Sequence, residues 1–213
     1  MRLRVVTIGL LAGAIASAVI IDRIAVIVAD RILKDSDIRR DIRVTSFLNG
    51  EKPDLSVDSQ KKAVNRLIDQ VFIRREIEIG GYPTATLQQA DQQLERLERE
   101  RFRTQAAFNR ALRSYDVTPL ELRTEFQWQL TVLRFIDARF KSAVFVTDDD
   151  IEKYYHEHAT ELQRQFPGKS SLDDLREHIR GLLTDEGVNQ QFFAWLDEQR
   201  KDTKIQFLEA SLR

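Results

Sequence analysis

The stretch VIIDRIAVIVADRILKDSDIRR, Val19–Arg40, decides the fold. Its centre, Ile24-Ala25-Val26-Ile27-Val28, is short and β-branched. Asp22-Arg23 bound it on one side and Ala29-Asp30-Arg31 on the other, and Ile32-Leu33 follows. The pattern predicts a strand, a tight turn and a short return. Just before it lies a second apolar run, VVTIGLLAGAIASA, Val5–Ala18. The two runs are either one membrane segment or an export signal abutting the first strand. Asp22, Arg23, Asp30 and Arg31 argue against a continuous membrane helix, because each is costly inside a bilayer. Arg2 and Arg4 form a basic head, Val5–Ala18 carries no charge, and Ala16-Ser17-Ala18 supplies small residues for cleavage. That is the layout of a secretory signal peptide over residues 1–18. The apolar run is shorter than the roughly 20 residues that span a bilayer comfortably. Read on to Ile21 it becomes a marginal span, so an uncleaved anchor is the alternative. In both readings the basic head stays inside and the body is exported. The expected location is periplasmic, with the membrane touched only through the signal or anchor.

Residues 19–213 have a one-domain length. Losing Arg2 and Arg4 with the signal takes the formal charge from −1 to −3. Nucleic-acid binding would want a basic excess, so it is not indicated. The chain has no cysteine, which excludes disulfide support and thiol chemistry in an oxidising compartment. Four prolines and eight glycines in 213 residues argue for long helices and few turns.

Helices follow in series. Ser36 or Asp35 is expected to cap the first, through Ile38, Ile42 and Phe47 to Asn49-Gly50. Ser56 or Asp58 opens the second, with Val64, Leu67, Ile68, Val71 and Phe72 on one side, Ile73 and Ile77 on the other, and Gly80-Gly81 as its stop. Thr86 starts the third, whose charged face suggests the pairs Glu95–Arg99 and Arg96–Glu100. Phe108 and Leu112 mark a shorter fourth. Thr118, Pro119 and Glu121 form a capping box with proline at the first helical position. The helix they open runs to about Ala143. It has one stripe of Leu122, Phe126, Leu130, Leu133, Ile136 and Phe140, and an opposite one of Trp128, Val132 and Phe135. Thr147 with Asp150 caps IEKYYHEHATEL, a linker is expected over residues 162–171, and Ser171 with Asp174 caps a last long helix. That helix too has two apolar sides. KIQFLEASL follows as a strand able to pair with Ile24–Val28. The class is mainly α, a multi-helix domain with a small sheet formed by the N-terminal and C-terminal strands.

Chemistry is sparse. His156 and His158 lie two apart, so on a helix they point about 200° apart and cannot share one ion. No phosphate loop, dinucleotide motif or nucleophile elbow is present in the body. No metal, cofactor or catalytic residue is assigned. The remaining signal is aromatic. The helix around Trp128 carries more apolar surface than one small core needs, and a partial groove there suits an extended apolar peptide. Packing of Trp128, Val132 and Phe135 under another helix is the competing explanation. Candidate contacts are Trp128, Val132, Phe135, Tyr154 and Tyr155.

The order of segments resembles the SurA N-terminal-domain family of periplasmic chaperones, and more distantly the PrsA-type foldases. Four stretches carry the resemblance: IDRIAVIVADRILKDSDI; KKAVNRLIDQVFIRREIEIGGY; FNRALRSYDVTPLELRTEFQWQL with VTDDDIEKYYHEH; and SSLDDLREHIRGLLTDEGVNQQFFAWLDEQRKDTKIQF. Fuller family members insert parvulin-type prolyl isomerase domains between the third and fourth. Here ELQRQFPGKSS joins them directly, too short for a catalytic domain. The resemblance therefore implies an ATP-independent chaperone without the isomerase. Its partners would be unfolded or nascent envelope proteins, outer-membrane barrels among them. Apart from the resemblance, a small sheet made from chain ends leaves open a homodimer formed by exchange of the terminal strands. Prolyl isomerisation, alone or as an accessory subunit, and a structural role with one dedicated partner are the alternatives.

Overall fold

Strand β1 (Ile24–Val28) turns at Ala29-Asp30 and returns as β2 (Arg31–Lys34), with Val28 opposite Arg31 and Ile27 opposite Ile32. The structure, a computed structural model, describes residues 22–168 and 171–212. The signal or anchor expected over residues 1–18 lies outside them. Ala29 sits at φ 53°, a left-handed conformation that costs a non-glycine residue roughly 1–2 kcal/mol and makes the turn tight. Strand β3 (Ile205–Phe207) pairs antiparallel with the other edge of β1, giving the order β2-β1-β3. The two chain ends thus meet in one small sheet within a single chain.

Eight α-helices follow the hairpin among the described residues: α1 (Asp35–Asn49), α2 (Val57–Gly80), α3 (Leu87–Arg101), α4 (Gln105–Tyr115), α5 (Pro119–Phe140), α6 (Asp148–Glu157), α7 (Ala159–Gln165) and α8 (Leu172–Asp202). The start of α1 differs from expectation. Lys34 is its N-cap, and Ser36 and Asp37 lie in its first turn. The missing acceptor comes from before the sheet. Asp22 takes the Ser36 hydroxyl at 2.6 Å and its N–H at 3.1 Å. The Ser36 hydroxyl bond leads in holding the Asp22 carboxyl below its ordinary range. Asp37 in turn accepts the Lys34 N–H at 3.0 Å. The charges that argued against a membrane helix therefore include one that ties the first strand to α1.

Elsewhere the caps stand where the sequence puts them. Thr86, Thr118 and Thr147 each close a box with Gln89, Glu121 and Asp150, and Ser56 and Ser171 cap α2 and α8. Thr118→Ala should cost about 1 kcal/mol, since it strips the Glu121 N–H of its acceptor and the Glu121 carboxylate of a donor. Urea denaturation checks this. A loss under about 0.3 kcal/mol would mean that the box adds nothing beyond solvent.

The core is divided in three. The first part gathers the sheet, α1, α2 and the C-terminal halves of α5 and α8, around Ile68, Phe72, Phe135 and Trp195. The second holds Val44, Phe47, Phe108, Leu112, Val117 and Leu122, where α1 ends and α4 and α5 meet. The third is Ile151, Leu162, Leu175 and Ile179, from α6, α7 and the first half of α8. Three helices bridge these parts: α1 and α5 join the first to the second, and α8 joins the first to the third. α8 has 31 residues and is about 46 Å long, with Leu175 and Ile179 in the third core and Val188, Phe192, Trp195 and Leu196 in the first. Gly187 lies between, where an added Cβ would come within 2.7 Å of Val144. That close approach seats the segment leading into α6 against α8.

Two expectations change. Residues 162–165 are helical, and Leu162 is buried in the third core, so the connection into α8 begins only at Phe166. The pairs Glu95–Arg99 and Arg96–Glu100 are not formed among the described residues. α3 is instead fastened by Arg123 to Asp91 at 2.6 Å and by Arg101 Nη1 to the Phe47 carbonyl at 2.9 Å.

Candidate binding cleft

A cleft of about 880 Å³ lies between the β1–β2 hairpin and the outer side of α2. Its floor is apolar: Val28, Leu33, Leu67, Val71 and Phe72. Its rim is charged and rich in arginine, with Arg31, Arg40, Arg74 and Arg75 against Asp30, Asp37 and Glu78. Most of its α2 residues, Leu67, Val71, Arg74, Arg75, Glu78 and Ile79, fall at the spacing of one helix face, joined by Gln70 and Phe72. Ile32 on the hairpin and Ile79 at the end of α2 are 50% and 72% exposed. A globular core gains nothing from leaving them in water.

A second cavity of about 270 Å³ adjoins the first and shares Asp37, Arg40, Leu67, Gln70 and Arg74 with it. Trp128 from α5 lies here. The Arg74 guanidinium covers the Trp128 ring at 3.9 Å, a cation–π contact that leaves Arg74 reachable from the cleft. Around them stands a seam of charge between three helices: Asp41 of α1, Arg66 of α2 and Glu125 of α5. Asp41 pairs with Arg66. Burial still pushes the Asp41 carboxyl above its ordinary range, with the Arg66 bond opposing. Burial does the same to Glu125, opposed by a Gln129 bond and assisted by the Asp41 charge.

A raised carboxyl pKa has a definite sign. The folded state pays for the ionised form at pH values above the folded pKa, and that cost fades as pH falls toward the unfolded value near 4.5. Glu125→Gln is therefore expected to be more stable than the parent at pH 8, with the difference closing as pH approaches 4.5. Urea midpoints across that range measure it. A pH-independent difference, or a less stable variant at pH 8, would overturn the assignment of burial as the dominant cause.

The five residues predicted as contacts are not brought together. Phe135 is fully buried, ringed by Tyr82, Phe140 and Trp195. Trp128 is buried to 8% exposure under Arg74, and Val132 is half-buried against the first core. This α5 face is covered, as the packing explanation held, and the supposed core stripe contains Leu133 at 63% exposure. The reason is that α5 crosses from the second core to the first, and its buried side changes on the way. Tyr154 and Tyr155 are half-buried on the third core. Tyr154 stacks on His158 at 4.3 Å and lines a separate groove of about 470 Å³ between α6 and α8. Only Trp128 borders the cleft system. Sequence reading missed the cleft itself, although Ile79 beyond the α2 stripe and the Arg74-Arg75 pair were visible in it.

His156 is exposed and His158 faces Tyr154, and no group of three metal-ligating side chains is assembled among the described residues. No described helix is long and apolar enough to cross a membrane.

No family model matches the sequence. No curated protein matches it either. Among solved structures, the chain is similar to one from a study describing the virulence factor PEB4 and the periplasmic protein Cj1289 as structurally related SurA-like chaperones of Campylobacter jejuni. The TM-score is 0.53 at 15% identity, over 88% of this chain and 99% of that one. The likeness is one of fold, along nearly the whole neighbouring chain.

Proposed function

We propose that this chain is an extracytoplasmic, ATP-independent chaperone that holds unfolded envelope proteins, outer-membrane β-barrels among them. The observation that carries the reading is the hairpin–α2 cleft. It joins an apolar floor to a charged rim and leaves Ile32 and Ile79 in water on a SurA-like fold. Weak contacts of that kind release a client without nucleotide, because covering the surface that each isoleucine still exposes contributes only about 1–2 kcal/mol. The basic, apolar and small-residue layout of residues 1–18 supports export. The short join between Gln165 and Leu172 supports a chaperone without prolyl isomerase activity.

The test is light scattering from a denatured outer-membrane barrel protein on dilution, with and without residues 19–213. Suppression of scattering near equimolar ratio without nucleotide is the expected result. A folded, monodisperse chain that leaves scattering unchanged would sink the reading and favour one dedicated partner. A proline-limited refolding assay run alongside should show no acceleration.

A further inference from the structure

We propose that the groove between α6 and α8 is a docking surface for a basic amphipathic helix of a partner protein. This goes beyond the chaperone reading and does not depend on it, because the groove shares no lining residue with the hairpin–α2 cleft.

The first support is shape. The groove, of about 470 Å³, has one helix face for each wall: residues 150, 153, 154, 157 and 158 of α6, and 183, 186, 187 and 190 of α8. The segment leading into α6 completes the lining with Val144, Phe145 and Val146. Both walls are helices, so an extended segment laid here finds no strand edge to pair with, and its main-chain groups would lose water without replacement. A helix arrives with its own main-chain bonds made and packs along two others, ridge into groove.

The second support is apolar surface left in water. Phe145 is 87% exposed at the groove. Phe193, 60% exposed, stands one turn beyond Gln190 and continues the α8 stripe that begins at Leu183. From Leu183 to Phe193 the wall is about 15 Å long, which matches about three turns of a partner helix.

The third support is charge, and it names the occupant. Between Thr147 and Gly187 stand eleven Asp and Glu against five Lys and Arg, in a chain whose formal charge is only −1. Two of those five cations, Arg176 and Arg180, are both turned to Asp148. Lys153 is the single Lys or Arg among the groove's lining residues, and it stands against Asp150, which is itself engaged in the Thr147 cap. The other two lining carboxylates have no cation. Glu157, on the α6 wall, has no hydrogen-bond or ion-pair partner among the described residues. Glu186, on the α8 wall, accepts only the Gln190 side-chain amide at 3.3 Å. One free carboxylate on each wall, with an exposed phenylalanine between the helices, fits a partner helix that carries an apolar ridge flanked on both sides by lysine or arginine.

The experiment is fluorescence anisotropy on the purified protein with a labelled peptide made of two copies of Leu-Lys-Lys-Leu-Leu-Lys-Leu, apolar at helical spacing. The comparison peptides are its counterpart with glutamate for lysine, and alternating Leu-Lys of the same length, which has the period of a strand. The basic helical peptide should bind about tenfold more tightly than either at low salt. Phe145→Ser should weaken it about tenfold, and Glu157→Lys with Glu186→Lys should abolish the preference for lysine over glutamate. All three side chains are exposed, so these variants keep the fold, which circular dichroism checks. The cleft variant Ile32→Ser, Ile79→Ser should bind the peptide as the parent does. Equal binding of the helical and alternating basic peptides would overturn helix docking, and equal binding of the lysine and glutamate peptides would overturn the charge match. Binding lost in the cleft variant but kept in the groove variants would put the peptide in the hairpin–α2 cleft and overturn the groove. So would sedimentation showing a dimer that Phe145→Ser dissociates, since a second copy would then fill it. Suppressed aggregation with no peptide preference overturns this proposal alone. Peptide preference without suppression overturns the chaperone reading alone.

Discussion

Replacing Phe135 with alanine lowers the unfolding free energy by about 3–5 kcal/mol. The ring is fully buried, so its whole apolar surface is returned to water on unfolding. It meets Tyr82 edge-on at 5.1 Å between centroids, Phe140 at 5.8 Å and Trp195 at 5.6 Å. Each such pair adds about 0.5–1.5 kcal/mol beyond area alone. The cavity left behind cannot close easily, because its walls are pinned. Arg139 Nη1 donates to the Tyr82 hydroxyl at 3.1 Å and to Glu76 at 2.5 Å, and its guanidinium sits 5.5 Å from both the Phe140 and Trp195 rings. Leu133, two positions earlier and 63% exposed, supplies the control. Leu133→Ala should stay within about 0.5 kcal/mol of the parent. Urea denaturation followed by tryptophan fluorescence reads both. A loss below about 1 kcal/mol at Phe135 would place that face outside the core and revive it as a client surface.

The fold was legible where local chemistry is strong. The hairpin, the threonine caps, the glycine stop of α2 and the bounds of α8 all follow from short-range signals that tertiary packing leaves alone. The assignment of faces on long helices was not. Trp128, Val132 and Phe135 and the Leu122–Phe140 stripe were both visible as apolar. Which one packs depends on a change of partner along α5, and helical periodicity assumes one partner throughout. The two apolar sides of α8 have the same origin, since its halves serve different cores. Likewise the α1 cap was hidden because its acceptor, Asp22, lies 14 residues away across the hairpin.

The cleft was harder to read, because it belongs to no single element. Its floor comes from the buried side of the hairpin and one edge of α2, residues that any pattern search assigns to core. Its functional mark is the opposite of a motif. Ile32 and Ile79 stay exposed while the apolar residues close by in the chain, Leu33 and Ile77, are buried, and exposure appears only once the chain is folded. Aromatic content pointed to Trp128, which does border the cleft system but beneath Arg74.

Those two isoleucines carry the other large effect. The double substitution Ile32→Ser, Ile79→Ser should leave stability within about 1 kcal/mol of the parent and weaken client holding about a hundredfold. Stability is largely spared because half of Ile32 and most of Ile79 stay in water on folding. Ile79 lies one residue from the end of α2, and Ile32 occupies the solvent side of an edge strand. Holding suffers because a client segment in the cleft would cover both. Only the exposed half of Ile32 and the exposed 72% of Ile79 are left to cover, so as serines the two together lose about 2–4 kcal/mol, and 1.4 kcal/mol is a factor of ten in affinity. The prediction is the mirror image of Phe135→Ala, where function falls only as the fold does. The light-scattering assay, titrated to half-suppression, separates them. A double variant that is stable but requires far more protein for the same suppression places the client on the hairpin–α2 cleft. A double variant that suppresses aggregation as well as the parent moves the client elsewhere. The next surface to test is then the α6–α8 groove, where Phe145 is 87% exposed beside Tyr154.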